Sequence, residues 1–444
     1  MDKRKKRIML TILIVGLIQM PALALTPGIN QIATKAFEGR TLVEVQSALS
    51  LAALAQPIAA FIAAMLINRR LVAKKAVILF GLCLLASVGV LAILFHTQFW
   101  HLILLSVVLG ISTGCFISNM FGLIFDNFDP MERQAIVGYQ TSFINAGGIM
   151  MSLMGGLLAR FMWYGGYLIL FIGLPAALLV YIAVPYYKAP VSGQRTAAGQ
   201  EPAGSDATEA GGKKREKNTK EARSAATTKN KPLGGIHPKI YYYCCVALVF
   251  MMSYGVCGSN ISTHIAGLGD SATAGLAVAI TMGGGVISGI FFGRLSNKTG
   301  DYSMSIALCS VFVGYMALSI FTSSLALTFA AVFLVGMSLS VMLPRCIFMV
   351  STYATDPSTS ATATALVSIV APSTGAFLSP IIITNLTTAL FGASTAMRYR
   401  FTSFIVLALA IVIAVETTRK GGVNPPPEAA LSEASPPEAS PPAA

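Results

Sequence analysis

The chain has 444 residues, of which 55% are hydrophobic and only 11% are charged, and its formal net charge at pH 7 is +13. Soluble domains usually carry about 25% charged residues, so this composition excludes an ordinary soluble domain and predicts an integral membrane protein. The positive charge lies mostly beside apolar stretches and in one central polar segment, a distribution that argues against nucleic-acid binding.

Twelve apolar stretches follow one another along the chain, each close to the roughly 20 residues that a helix needs to cross the hydrocarbon layer. The first resembles a signal peptide, but the equally apolar stretches after it favour a first membrane helix. We therefore expect an all-α integral membrane fold with twelve transmembrane helices. The predicted spans are residues 8–26, 44–67, 76–96, 101–125, 136–158, 166–187, 240–262, 272–293, 303–322, 325–350, 361–386 and 399–416.

The predicted helices form two groups of six. We expect an N-terminal six-helix bundle at residues 1–187 and a C-terminal six-helix bundle at residues 240–416. Segment 188–239 is polar, basic and without an apolar period, which predicts a disordered linker. The Pro- and Ala-rich tail, residues 417–444, is also expected to be disordered.

Lysine and arginine collect on one side of the predicted membrane. If the N-terminus lies inside, the inner segments hold most of the 31 Lys and Arg residues. The residues then assigned to outer loops are Lys35, Arg40, Arg160, Arg398 and Arg400. Because positively charged loops remain in the cytoplasm, we expect a multi-pass protein of the cytoplasmic membrane with both termini and the linker on the cytoplasmic side.

Short motifs recur at nearly constant spacing in the two halves. AMLINRR at residues 64–70 aligns with GRLSNKT at residues 293–299, each after the second helix of its half. Further along, Asp129-Pro130 aligns with Asp356-Pro357. These landmarks indicate that the two halves arose by duplication.

The stretch GRLSNKTGD resembles the loop signature of the major facilitator superfamily, Gly-x-Leu-x-Asp-Arg-x-Gly-Arg. Gly293, Leu295 and Gly300 match it, Lys298 keeps the charge, and Asn297 replaces the aspartate. The stretches FDPMERQAIVG after the fourth helix and AGGIMMSLMGGLLARFMW in the fifth also look like that family. The resemblance covers all twelve spans and says little about the substrate.

The first-half copy of the signature is more eroded. Leu66 and Arg69 match, and Asn68 again replaces the aspartate. Two departures speak against a drug/proton antiporter. Ser106 stands where the drug and sugar branches often carry an arginine in the fourth helix, and the fifth helix lacks the proline of the antiporter signature.

This resemblance implies two pseudo-symmetric six-helix bundles that rock about a central site, which is alternating access. It also implies that the first and fourth helices of each half line the central cavity and that the loop signature locks one half against the other. The alternative is that these basic loops only set the orientation. The candidate gating or coupling residues are Asp126, Asn297, Lys298, Gly293, Gly300, Asn68 and Arg69.

Arg345 lies deep inside a predicted helix, in the stretch VGMSLSVMLPRCIFMV. An ionisable residue inside a membrane helix generally faces a cavity or a partner. Residues seven apart lie on one side of a helix, because seven residues are close to two helical turns. Arg345 belongs to such a stripe in the tenth helix, and this stripe aligns with one in the fourth helix. We expect both stripes to face a water-filled cavity. The two stripes are Ser112, Asn119 and Asp126, and Ser338, Arg345 and Thr352.

The sequence leaves three roles open for Arg345. Its planar fork suits a carboxylate or phosphate group of a substrate; it could form an ion pair with Asp126; or it could extend towards the inner headgroups. The expected substrate-binding residues are Arg345, Asn119, Ser112, Ser338, Gln19, Tyr254 and Asn260. Because no Asp or Glu lies in the middle of a predicted span, anion exchange or symport of a proton carried on the substrate fits best.

The sequence thus predicts a secondary transporter that moves a small organic solute, an organic anion such as a carboxylate, by exchange or proton symport. The alternative is a proton antiporter that exports drugs or hydrophobic compounds, and a more remote one is a non-transporting sensor or scaffold. The expected partners are the anionic small molecule, the lipid bilayer and a proton or counter-anion. We expect a monomer that is not an enzyme and has no catalytic site, cofactor, metal or nucleic-acid partner.

Overall fold

A computed structural model of the protein describes residues 3–128, 130–185, 237–353 and 363–419. Twelve helices of this described part are long and apolar enough to cross a membrane. We number them in chain order: α1 (Lys3–Ala36), α2 (Leu42–Asn68), α3 (Lys74–Leu94), α4 (Phe99–Asn127), α5 (Pro130–Ala159), α6 (Gly165–Ala183), α7 (Pro238–Ile265), α8 (Ser271–Thr299), α9 (Tyr302–Ile320), α10 (Leu325–Met337 and Leu339–Tyr353), α11 (Ala363–Phe391) and α12 (Thr395–Arg419).

The first helix is longer than expected and is interrupted. Its regular part ends at Gly16, a 3-10 turn begins at Pro21, and the span then continues through Ala36. Proline has no N–H to donate to the preceding turn, which explains why the α-helix does not run through this point. The first membrane span is therefore interrupted beside Gln19.

The last helix is also longer than expected, at both ends. It begins at Thr395 and ends at Arg419. The start of the predicted tail, residues 417–419, is therefore helical. Arg398 lies inside a helix and not in an outer loop, because the helix starts four residues before the predicted boundary. The segment between residues 186 and 236, which holds most of the predicted linker, lies outside the described residues.

The buried apolar side chains form two main clusters, one from α1–α6 and one from α7–α12. Small residues allow the helices of each half to pack closely, as is typical of membrane helices. A methyl group on Gly110 or Gly114 of α4 would lie 2.3 Å from a backbone oxygen of α2. The closest packing in the first half is therefore backbone against backbone.

The two halves touch near one end of the molecule. We call the end at which α1 begins the N-terminal face and the other end the opposite face. Hydrogen bonds and ion pairs between described residues of different halves all lie on the side of the opposite face. They are Asn30 and Pro27 with Ser262, Gln46 with Ser259 and Asn260, Ser50 with Phe377, and Arg160 with Asp270.

Two glycines permit a close contact between the halves where α5 crosses α8. A methyl group on Gly156 would lie 2.5 Å from the backbone oxygen of Ser271 and 2.9 Å from the Cα of Gly275. A methyl group on Gly275 would lie 2.5 Å from the backbone oxygen of Ser152. On the side of the opposite face, the two halves are therefore in contact backbone against backbone.

Candidate functional site

Arg345 is buried and paired with Asp301. Its Nε and Nη2 lie 2.9 and 2.8 Å from Oδ1 of Asp301, and its Nη1 donates a 3.0 Å hydrogen bond to Oγ of Ser296. The hydroxyl of Tyr243 donates to Oδ2 of Asp301 over 3.4 Å. Burying a guanidinium is costly unless its charge is paired and hydrogen-bonded, and Asp301 supplies that pairing for Arg345.

This pair decides against one of the roles left open for Arg345 and corrects the expectation that it faces a water-filled cavity. Its ionic partner is Asp301 of its own half and not Asp126, and only 5% of the residue is exposed, so it does not stand free in a water-filled cavity. The reason is the short turn between α8 and α9. Gly300 has a φ of +54°, a backbone conformation that favours glycine, and it brings Asp301 beneath α10.

Asp126, near the end of α4, forms an ion pair with Lys74 in the first turn of α3. Both side chains are largely buried, with 13% and 14% of their surfaces exposed. In each half, therefore, the fourth helix is joined to the start of the third helix by one buried ion pair. The positive charge lies on the third helix in the first half and on the fourth helix in the second.

The stripe residues make hydrogen bonds within their own half, and their role in substrate binding stays a prediction. The hydroxyl of Ser112 donates a 2.8 Å hydrogen bond to the backbone oxygen of Gly81 on α3, so this stripe faces the third helix of its own half. Asn119 and Ser338 are buried and donate to backbone oxygens of their own helices. Polar side chains in membrane helices often hydrogen-bond between or within helices in this way.

Two other predicted substrate residues keep unused polar atoms in the interior. Gln19 is 5% exposed, and its Nε2 has no hydrogen-bond partner in the described part of the chain. The hydroxyl of Tyr254 is buried and also lacks a partner there. Their role in substrate binding stays a prediction.

A second buried arginine was missed by the sequence reasoning. Arg398 of α12 is only 1% exposed. Its Nη1 donates a 2.8 Å hydrogen bond to Oδ1 of Asn260 on α7, and its Nη2 donates a 3.1 Å hydrogen bond to Oγ1 of Thr388 on α11. Its Nε has no partner, and among the described residues no carboxylate lies within ion-pair distance of it.

Asn260, which the sequence did single out, connects Arg398 to the first half. It is fully buried, and its Oδ1 also accepts a 3.3 Å hydrogen bond from Nε2 of Gln46 on α2. The same Nε2 lies 2.7 Å from the backbone oxygen of Ser259. A polar chain therefore runs from α2 through α7 to α12, close to the opposite face.

Asp270 contributes to the contact between the halves outside the spans. It caps α8 by accepting hydrogen bonds from the backbone N–H and the hydroxyl of Thr273, at 2.9 and 3.0 Å. It also pairs with Nε of Arg160 at 2.8 Å. The hydrogen bonds from Thr273, and to a smaller extent the charge of Arg160, hold the pKa of this carboxyl below its usual range.

The loop residues predicted to gate the transporter are only partly described. Lys298 is exposed near the end of α8, and Arg69 is exposed at the end of α2. The surroundings of Gly293, Asn297 and Asn68 lie outside the described part of the structure. A gating role for this set stays a prediction, and Gly300, with a φ of +54°, lies in the short turn between α8 and α9.

Three functional candidates were missed, and only two of them left a signal in the sequence. Asp301 is the residue directly after Gly300 in the quoted signature stretch, so it could have been found there. Arg398 could have been found only by extending α12 by one turn, and Gln46 carries no signal of its own. Within the described residues, no three His, Cys, Asp or Glu side chains are grouped so that they could hold a metal ion.

The fold is similar to those of several solved transporters. They include the nucleoside transporter NupG (12% identity, TM-score 0.65, covering 93% of this chain and 99% of that chain) and a bacterial homologue of the human lysosomal transporter Spinster (14%, 0.67, 96% and 100%). The POT family transporter PepTSo is also similar (12%, 0.70, 94% and 98%). At such identities the likeness shows the fold alone. No curated protein sequence matches the chain.

The amino-acid sequence itself matches the Major Facilitator Superfamily over residues 8–380, most of its length. This match agrees with the twelve apolar helices and with the solved structures that share the fold. The chain therefore belongs to the Major Facilitator Superfamily and is a multi-pass membrane transporter, not an enzyme, that moves a small molecule by alternating access.

Proposed function

We propose that this transporter carries small organic anions, carboxylates in particular, and that Arg398 is the cation that receives them. One observation carries the proposal: the Arg398 guanidinium is 1% exposed, and its partners among the described residues are neutral. A buried charge without a counter-charge is unfavourable, so a bound anion would stabilise it. Arg345 is the weaker candidate, because Asp301 already neutralises it.

The position of Arg398 suits a site that opens and closes with the halves. Its partner Asn260 is held by Gln46 of the first half, near the face at which the halves touch. When the halves separate there, Gln46 withdraws from Asn260 and the guanidinium becomes accessible from that side. Its planar fork can then bind a carboxylate with two parallel hydrogen bonds.

The orientation that we propose places the N-terminal face in the cytoplasm and the protein in the cytoplasmic membrane. The basic residues at positions 3–7 and 69–75 support it, since positively charged segments flanking a membrane helix remain inside. The contact near the opposite face then makes this an inward-facing state, with its outer side closed. Opening of that side would admit the anion to Arg398.

For the energy source we propose exchange of one anion for another, or symport with a proton carried on the substrate. The buried carboxylates Asp126 and Asp301 are both engaged in ion pairs with residues of their own half. Vesicles preloaded with unlabelled anion should accelerate uptake of the labelled anion if the protein is an exchanger. A pH gradient, acid outside, should accelerate uptake into empty vesicles if it is a symporter.

The test of the anion proposal uses the purified protein and a panel of carboxylates, sugars, amino acids and cationic dyes. The change in thermal unfolding midpoint identifies binders, and uptake into proteoliposomes then measures transport. Arg398→Gln removes the charge and keeps the hydrogen-bonding capacity. Arg400→Gln is the matched control, because Arg400 is exposed on the same helix two residues further on.

Carboxylates should raise the unfolding midpoint of the parent and of Arg400→Gln, and this shift and carboxylate uptake should be lost in Arg398→Gln. Unchanged carboxylate binding in Arg398→Gln would refute the assignment of Arg398. A protein that responds only to cationic or apolar compounds would instead be an exporter of such compounds, and the anion proposal would fail.

A further inference from the structure

A long apolar groove lies on the surface of the first half, and all the residues that line it belong to that half. Its floor is α4, its walls are α2 and α3, and its volume is about 690 Å³. Every side chain that lines it is apolar, apart from the thiol of Cys115. Ile58, Ile62 and Phe80 form its rim and are 56%, 45% and 57% exposed, so the groove opens towards the lipid.

The groove follows from the way that three helices pack. Gly110 and Gly114 hold α2 in backbone contact with α4, and Gly81 holds α3 there, since a methyl group on it would lie 2.9 Å from the backbone oxygen of Ser112. Because α2 and α3 both pack against α4, a channel remains between them. Ala59 and Ala63 of α2 and Ala76 of α3 are among its lining residues, and their small side chains give it depth.

The groove spans one leaflet. Along α2 it extends from Ala55 to Leu66, eleven residues, or about 16 Å at the helical rise. The hydrocarbon core is about 30 Å thick, so this length equals the depth of one leaflet. The end at Leu66, Val72 and Ala76 reaches the turn between α2 and α3, at the N-terminal face.

Positive charge surrounds that end of the groove. Lys74 is paired with Asp126, and Lys75 donates to the backbone oxygen of Tyr181. Arg69 and Arg70 are exposed, and within the described residues neither guanidinium has an ion-pair partner. Arg70 has a φ of +57°, a conformation that residues other than glycine rarely adopt. The turn thus presents two adjacent free cations beside an apolar groove.

We infer that the groove between α2, α3 and α4 is a binding site for one anionic phospholipid of the leaflet at the N-terminal face. One acyl chain lies along α4 in the groove, and Arg69 and Arg70 hold the phosphate group. Guanidinium groups bind phosphate with charge-assisted hydrogen bonds, and anionic lipids are drawn to basic segments beside membrane helices. The site is separate from Arg398 and does not depend on the proposed substrate.

The test measures lipid retention by native mass spectrometry. Delipidated full-length protein in detergent is incubated with a phosphatidylglycerol or a phosphatidylcholine of the same acyl chains. Ala76→Phe and, independently, Val107→Phe fill the groove. The matched control is Ala64→Phe, because Ala64 is exposed on α2 and does not line the groove. Arg69→Gln/Arg70→Gln removes the charges and leaves the groove intact.

The parent and Ala64→Phe should retain one phosphatidylglycerol in preference to phosphatidylcholine. The groove-filling variants should lose that lipid, and the double glutamine variant should lose the preference for the anionic headgroup. Retention of phosphatidylglycerol by a folded groove-filling variant, or equal retention of both lipids by the parent, would overturn the inference. A dimeric parent that becomes monomeric in Ala76→Phe would place a second copy of the chain in the groove and would also overturn it.

Discussion

Arg345 and Asp301 form, in the second half, the same connection between the fourth and third helices that Asp126 and Lys74 form in the first half, with the charges exchanged. Asp301 and Lys74 both stand where the third helix of their half begins. Each half thus joins these two helices by an ion pair, with reversed polarity. The fourth-helix partners differ in position, because Asp126 is the third residue of its stripe and Arg345 is the second of the aligned stripe.

Arg345 and Asp301 should act together in stabilising the fold, so that substituting one of them costs more than substituting both. Arg345→Gln removes the guanidinium that is paired with Asp301, and breaking a buried ion pair costs about 3–5 kcal/mol. The double variant Arg345→Gln/Asp301→Asn removes both charges and should lie closer to the parent. Thermal unfolding of the three proteins in one detergent measures this order. Equal destabilisation of the single and double variants would show that the two residues act independently.

Gln46 should help to hold the observed state closed at the opposite face. Its amide makes hydrogen bonds to Ser259 and Asn260, and each hydrogen bond contributes about 0.5–1.5 kcal/mol. Gln46→Ala should therefore shift the population towards separation of the halves at this face. Spin labels at Glu38 and Gly267, both exposed there in different halves, report the distance in a cysteine-free background. A distance distribution identical to that of the parent would contradict this role.

The crossing of α5 and α8 supplies a steric test of the same closure. Gly275→Ala places a methyl group 2.5 Å from the backbone oxygen of Ser152, so the two helices must move apart. Gly283→Ala on the same helix is the control, since a methyl group there meets nothing within 4 Å. With the same pair of spin labels, only Gly275→Ala should lengthen the distance. If both variants lengthen it, helix propensity and not the crossing is responsible.

Asp270 has two functions that substitution can separate. Asn is as good a helix cap as Asp, so Asp270→Asn removes only the charge, and an exposed ion pair contributes about 0–1 kcal/mol. Asp270→Ala also removes the cap, which costs a further 0.5–2 kcal/mol, typically about 1. Thermal unfolding at pH 7 should therefore rank the parent close to Asp270→Asn and well above Asp270→Ala.

The pH dependence of this group follows from its lowered pKa. A carboxyl with a folded pKa below its unfolded value of about 3.9 stabilises the fold above that value. The stabilisation is lost as the pH falls through the folded pKa, so between pH 5 and 8 it should be constant. Below about pH 4 the difference in unfolding midpoint between the parent and Asp270→Asn should shrink. A difference that changes between pH 5 and 8 would point to another group.

By itself the sequence determined the membrane class, the twelve spans and the family. These follow from local properties: twenty apolar residues can hide their backbone polar groups in lipid only as a helix, and the signature residues are adjacent in the chain. It also identified Arg345 and Asn260 as polar residues inside membrane helices, where burial of a polar group is energetically unfavourable. For those features no knowledge of packing was needed.

Only the tertiary structure decided which partner each polar group has. The helical period placed Ser112, Asn119 and Asp126 on one stripe. The period does not say whether that stripe faces the cavity or the next helix, because polar side chains can be accommodated in either place. Asp301 reached Arg345 through a turn set by one glycine, and Arg398 became a buried cation because α12 began four residues early. Contacts between residues distant in the chain depend on how whole helices pack, and that packing is a property of the assembled bundle.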